Sequence, residues 1–251
     1  MSETPRNADG RVTGLWVYQA LGTRPDPAAL VARAHRHGLR WVTAQAVKSG
    51  EVLDRDWLRA MREATKSHGM RLGVHGRLGQ PKRPGQPRPK PADEAEAMAR
   101  AIDLARADFA IVNAESEYEK SKNPDSRTFV DAYRDRKPDF LSYFSSFGRP
   151  DLHLSLDWPA WASGEFRGMP QAYENLNAAA LKPTQCVRAW AVFFDRDSLR
   201  PTLGCFKEHG QPHLPIPRLV QSVRDVPDLH FNIYRHGTVT NAELRALSEI
   251  S

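Results

Sequence analysis

Long apolar runs are missing from this 251-residue chain. The longest are strand-length pieces such as Ala189 to Phe194 (AWAVFF), well short of the roughly 20 residues that cross a bilayer, so no membrane-spanning helix is expected. Cysteine is scarce: Cys186 and Cys205 stand alone, which excludes a disulfide-stapled scaffold and suits a reduced protein with core thiols. The N-terminal MSETPRNADGR lacks the apolar stretch that directs secretion, so a cytoplasmic or phage-encoded product is expected.

Acids are absent from residues 71–92, which carry Arg71, Arg77, Lys82, Arg83, Arg88 and Lys90. That segment accounts for the whole net charge of +6 and leaves the remainder balanced. The basicity is therefore local, and it reads as a solvated loop rather than a nucleic-acid surface. Cofactor motifs are also lacking. Gly73-x-x-Gly76-x-x-Gly79 has the wrong spacing for a dinucleotide fingerprint. No His-Glu-x-x-His occurs, and His35 and His37, two apart on a helical pattern, face different directions, so neither metal nor cofactor is expected. Ser145-Ser146 lacks the Gly-x-Ser-x-Gly elbow of serine hydrolases.

What is present is an ordinary globular composition, 40% hydrophobic and 26% charged, with a repeating organisation. ARAHRHGLRWVTAQA (32–46) and REATKSHGMRLGVHG (62–76) each end a helical pattern in His-Gly and then begin an apolar strand. Extended along the chain, this reading predicts strands near 14–19, 40–46, 70–76, 108–115, 139–145, 168–173, 201–206 and 229–235. Helices are predicted over 26–37, 54–68, 92–106, 125–137, about 177–198, 216–225 and 240–249, with a short or irregular one in the Pro- and Trp-rich region 150–166. Strands that alternate strictly with helices form a parallel sheet, since a helix supplies the crossover. Eight such units in this length predict an α/β fold, a (β/α)8 TIM barrel, as a single domain over residues 1–251. The Pro-rich basic stretch 80–91, QPKRPGQPRPKP, follows the third strand and is expected to stand beside the open mouth as a wall or lid.

Barrel chemistry sits at the C-terminal ends of the strands. There the chain places Tyr18 and Gln19, Gln45 and Lys48, His75, Asn113, Tyr143 and Ser145, Gln171, Tyr173 and Glu174, Lys207, then Tyr234 and Arg235. A ring of amides, carboxylates and phenols suits the hydroxyls and apolar faces of a sugar. Gln19, Gln45, His75, Asn113, Tyr143, Gln171, Tyr173 and Tyr234 are the candidate substrate-binding residues. Trp158 and Trp161 could stack on sugar rings or anchor their loop, and Asp157 is a further candidate carboxylate.

The sharpest local feature is IVNAESEYE, where an apolar strand runs into Glu115, Glu117 and Glu119. Side chains two apart share a strand face with a backbone separation of roughly 6.5–7 Å. Carboxyl pairs that cleave glycosidic bonds stand about 5–5.5 Å apart in retaining enzymes and about 6.5–9.5 Å apart in inverting ones. Glu115 and Glu117 are therefore the candidate catalytic pair, one acting as general acid, with Glu119 outside the site.

The segments GLWVYQ, RWVTAQAVKSGE, RLGVHGRLGQ, FAIVNAESEYE, DFLSYFSSF, MPQAY and FNIYRHGT together resemble lysozyme-type and related glycoside hydrolase barrels, including barrel proteins of actinobacteria and their phages. The resemblance implies that Glu115 is the proton donor. Asn113 stands where that family has an Asp, and strand one offers Leu15 and Trp16 where another Asp falls. Two functions follow as expectations: a glycoside hydrolase acting on a polysaccharide or cell-wall glycan, or a glycan-binding or phage-associated structural barrel that does not cut.

Overall fold

The computed structural model describes residues 11–18, 24–119, 125–176, 181–207 and 213–250. Strands and helices alternate in the order β1 (Val12–Val17), α1 (Pro27–Arg36), β2 (Trp41–Lys48), α2 (Arg55–Ser67), β3 (Arg71–Arg77), α3 (Pro91–Ala105) and β4 (Phe109–Asn113). They continue with α4 (Asp125–Arg136), β5 (Ser142–Phe147), α5 (Trp158–Ser163), β6 (Arg167–Ala172), α6 (Pro183–Trp190), β7 (Thr202–Gly204), α7 (Ile216–Arg224), β8 (Phe231–Tyr234) and α8 (Asn241–Ser248). Each strand pairs in parallel with the next, and β8 returns to pair with β1, so the sheet closes. This is the single-domain (β/α)8 barrel that the alternation predicts. A two-residue strand, Glu51–Val52, adds an antiparallel flap to the end of β2.

Local chemistry sets the element boundaries. Asp26 caps α1 by accepting from the Ala29 amide at 2.8 Å, Asp54 caps α2 through Asp56 and Trp57, and Thr240 with Glu243 forms a capping box on α8. The repeated His-Gly pair ends α1 and α2 as expected, with Gly38 and Gly69 at φ of 70° and 63°, where a residue without Cβ is unstrained.

Side-chain alternation divides the sheet into two faces. Leu15, Val42, Ala44, Leu72, Val74, Ala110, Val112, Phe144, Leu203 and Ile233 point outward and join the helices in the main core. Trp16, Phe109, Ile111 and Met169 form a separate cluster inside the barrel, with Trp41, Tyr143 and Tyr234 packed against it. The bottom of the barrel is closed by edge-to-face aromatic pairs, Trp41 on Phe109 at 5.2 Å and Phe109 on Tyr143 at 5.9 Å. A Cβ on Gly73 would lie 2.4 Å from the Phe109 ring, so glycine is what admits that ring.

Three expectations need correction, and the choice left open for Trp158 and Trp161 is decided. The helix expected over 177–198 spans only Pro183–Trp190, because Phe193 and Phe194 turn back onto Trp158 and Trp190; residues 177–180 of that range lie outside the described ones. Trp158 and Trp161 are anchors rather than sugar platforms: both are buried under the outer face, and Trp161 stacks on Phe144 at 4.2 Å and 4°. Asp157 is the cap of α5, accepting from the Ala160 amide. The Pro-rich loop 80–91 contributes nothing to the walls of the main cavity. It is tied down instead, Lys82 to Glu51 and Arg88 to Asp125 and the Glu117 carbonyl.

Cys186 and Cys205 are buried and unpaired, and burial pushes the Cys186 thiol up to about 12. Among the described residues no helix is long and apolar enough to cross a membrane.

Candidate active site

The C-terminal mouth of the barrel holds a cavity of about 490 Å³. Its position follows from the strand direction, since eight parallel strands deliver their C-terminal ends to one rim. Asn113 is the last residue of β4, and the Ser146 hydroxyl donates to the Ala114 carbonyl at 2.6 Å, which fixes the chain as it leaves the strand. Glu115 keeps the inward direction of Ile111 and Asn113 and lines the cavity. The strand does not continue further. The chain instead makes one helical turn, Ser116–Glu119, and the two-residue period is lost.

That turn separates the three acids. Glu117 lies beside Arg77 and is not among the cavity-lining residues; nor is Glu119, which sits behind the wall residue His153 at 3.0 Å and accepts from Ser155 at 3.2 Å. Glu115 and Glu117 meet only through the guanidinium of Arg77, whose Nη2 is 3.1 Å from one and 3.5 Å from the other. Burial works against the Arg77 charge, but Glu115 and then Glu117 outweigh it and hold its pKa above the ordinary value.

Glu115 sits in an amide cradle. Asn113 Nδ2 donates to its Oε1 at 2.9 Å, and Gln171 Nε2, from the end of β6, donates to the same oxygen at 3.0 Å and to Asn113 Oδ1 at 3.0 Å. Every hydrogen bond the carboxylate makes is thus one that it accepts, and its rotamer is held from two strands. Tyr18, Tyr173, Phe206 and Tyr234 form the facing wall, with Tyr173 stacked on Tyr234 at 5.6 Å and 26°. Burial pushes the Tyr234 phenol up to about 12, so it presents a protonated hydroxyl at neutral pH. Phe147 and His153 complete another side as a parallel pair 3.6 Å apart.

His75 lies at the cavity floor against Trp16, with ring centroids 4.9 Å apart. Its Nδ1 is 2.9 Å from the Thr43 hydroxyl, and its Nε2 is buried without a partner among the described residues. Complete burial holds its pKa down at about 3, so the ring is neutral and has one nitrogen to offer a ligand.

Of the residues read as substrate-binding, Asn113, His75, Gln171, Tyr173 and Tyr234 line this cavity together. Gln45 and Tyr143 do not; Gln45 is fully buried, and Tyr143 belongs to the aromatic layer below, in register with Ile111 rather than Asn113. Gln19 lies outside the described residues. Lys48 and Lys207 are exposed, and Glu174 is withdrawn from the mouth by Arg218 and Ser222. Sequence reasoning missed Arg77, whose signal was available: it falls two residues beyond His75 on the same strand face. It also treated Trp16 only as an absent acid, whereas the ring fills the barrel centre and donates to Asn232. Among the described residues no three His, Cys, Asp or Glu side chains gather as metal ligands.

No family model matches the chain, and no curated protein matches it. Solved structures do. A chitinase from Chromobacterium violaceum ATCC 12472 superposes with a TM-score of 0.68 at 9% identity, over 95% of this chain and 98% of that one. The catalytic domain of a hyperthermophilic chitinase from Pyrococcus furiosus gives 0.67 at 13% identity, over 96% and 94%. The spore cortex-lytic enzyme SleL of Bacillus megaterium QM B1551 gives 0.66 at 8% identity, over 98% of this chain and 75% of that one. At these identities the likeness establishes the barrel fold over nearly the whole chain.

Proposed function

We propose that this protein is a glycoside hydrolase acting on a glycan of 2-acetamido sugars, with Glu115 as the proton-transferring carboxyl. The observation that carries this reading is the placement of Glu115 at the C-terminal end of β4, in an amide cradle, within an aromatic-walled cavity of about 490 Å³. Tyrosine faces suit sugar rings, while amides, phenols and the neutral His75 suit hydroxyl and acetamido groups. The structural neighbours include chitinases, one of them described in complex with chito-oligosaccharides, which favours the same ligand class.

Among the described residues that line the cavity, Glu115 is the one carboxylate. Among the described residues the nearest partner for a two-carboxylate mechanism is Glu117, which pairs with Arg77 and does not line the cavity. A substrate whose own acetamido oxygen attacks the anomeric carbon needs one protein carboxyl, which protonates the departing oxygen and later activates water. Asn113 and Gln171 then act as positioning residues that aim Glu115, and Tyr173 and Tyr234 as contacts to the sugar.

A second reading, glycan binding without cleavage, is favoured by one specific feature. Position 113 is an amide, and Glu115 accepts from Asn113 and Gln171 while it ion-pairs with Arg77, an arrangement that can serve recognition alone. Turnover of chito-oligosaccharides and peptidoglycan by the wild type and by Glu115→Gln separates the two. Cleavage that falls by about 10²–10⁴ in the variant, with glycan affinity retained, is the expected result. Equal, nonzero rates would remove Glu115 from the mechanism, and binding without turnover by the wild type would establish the second reading.

A further inference from the structure

A second hollow of about 450 Å³ opens next to the first, lined among others by Arg149, Leu154, Gln185, Arg188, Val192 and Phe193. Arg149 lines both hollows, and Leu152 of the first is two residues from Leu154 of the second, so the two surfaces are continuous. The large hydrophobic residues exposed in the described chain are Leu152 at 64%, Leu154 at 77% and Val192 at 75%, and all three gather here. Single exposed aliphatics are commonplace, but a cluster beside a cleft marks a binding surface.

The charges of the hollow narrow its ligand. Arg149 is engaged by Asp151, through Nε at 2.8 Å. The exposed Arg188 side chain makes no hydrogen bond or ion pair with a described residue, which leaves its guanidinium, among those residues, open to a carboxylate. With Arg149 and Asp151 compensating each other, the lining keeps one net positive charge. The walls differ in kind from those around Glu115: aliphatic side chains and a cation in place of stacked phenols. Such a lining suits an aliphatic chain ending in a carboxylate better than a sugar ring.

We propose that the second hollow receives an acidic peptide substituent carried by the glycan in the first, so that the substrate is a peptide-bearing glycan rather than a bare one. This rests on the glycan reading above and specifies its substrate class.

The test is calorimetric binding to the Glu115→Gln protein of two probes with equal sugar length, chitohexaose and a peptidoglycan hexasaccharide that keeps its peptide stems. The peptide-bearing probe is expected to bind about tenfold more tightly. Arg188→Glu combined with Val192→Ser should abolish that advantage and leave chitohexaose affinity within about twofold, while Arg188→Lys should keep part of it. Both positions are exposed, so the folded core is untouched. Equal affinity for the two probes, or an equal loss on both in the double variant, would overturn the inference while leaving the glycan reading intact. Failure of both probes to bind would overturn the two together.

Discussion

On its outer face the barrel sheet offers Val42, Val74, Val112, Phe144 and Ile233 to the helices, a continuous apolar layer with few polar atoms to satisfy. On its inner face the same strands carry Thr43, His75, Asn113, Ser145, Gln171, Thr202 and Asn232, interleaved with a small cluster around Trp16. Both faces are buried, yet only the outer one could be replaced by generic hydrophobic packing without changing its role. Inside, several polar atoms have no protein partner among the described residues, including His75 Nε2, Ser145 Oγ and Thr202 Oγ1. Buried polar groups need hydrogen-bond partners that generic apolar packing cannot supply, so the inner face depends on specific polar contacts in a way the outer face does not. The outer face holds the fold, and the inner face presents the polar groups.

This contrast can be broken or sharpened by mutation. The largest stability effect is expected on the outer face: Trp161→Ala removes a ring stacked on Phe144 and should cost about 3–5 kcal/mol in urea unfolding. A loss below about 1 kcal/mol would mean that the outer layer does not carry the fold. Gly73→Ala tests the bottom of the interior, where its Cβ would meet the Phe109 ring at 2.4 Å. Overpacking there should cost about 1–3 kcal/mol, and an unchanged melting temperature would show that the aromatic floor yields freely.

Two buried titratable groups on opposite sides of the sheet make a finer comparison. Burial holds His75, inside the barrel, down at about 3 against an ordinary 6.5. The unfolded chain binds the extra proton between those values, so His75 makes stability rise with pH across that window. Glu94, in the helix layer, is raised by burial to about 7 from 4.5, although the Gly79 amide at 2.7 Å and the Tyr118 hydroxyl at 2.8 Å donate to it. There the native state binds the extra proton, and stability falls as pH rises from about 4.5 to 7. Urea midpoints measured between pH 4 and 8 should therefore change slope in opposite senses in His75→Gln and Glu94→Gln; slopes that move together would refute the assignment. The smallest effect belongs to neither face. Asp157→Ala removes only the cap of α5 and should cost about 1 kcal/mol without altering the proposed glycan binding, which thermal melts and titration with chito-oligosaccharide can check.

The barrel was legible because its signals are local and repeated. Asp26-Pro27 opens α1, His37-Gly38 closes it, and an apolar strand follows, a cycle that α2 repeats with Asp54 and His68-Gly69. Helix 177–198 was misread because its stop comes from Phe193 and Phe194 folding onto Trp158, a contact invisible to local pattern. Within the site, Glu115 was legible from the two-residue period of β4. Glu117 was not, because that period ends where the chain turns at Ser116. Trp158 and Trp161 were ambiguous for a related reason: their spacing is compatible with either side of the loop, and burial against Phe144 decides it.

By itself, then, the order of residues determined the alternation of strand and helix, the parallel sheet, and the face on which His75, Asn113 and Glu115 fall, because periodicity, caps and glycines act over a few residues. The tertiary structure alone decided the company these residues keep. Arg77 between two glutamates and Gln171 reaching Glu115 from β6 depend on closure of the ring, and the hollow beside Arg188 on the packing of two successive units, which bring together groups that lie far apart along the chain.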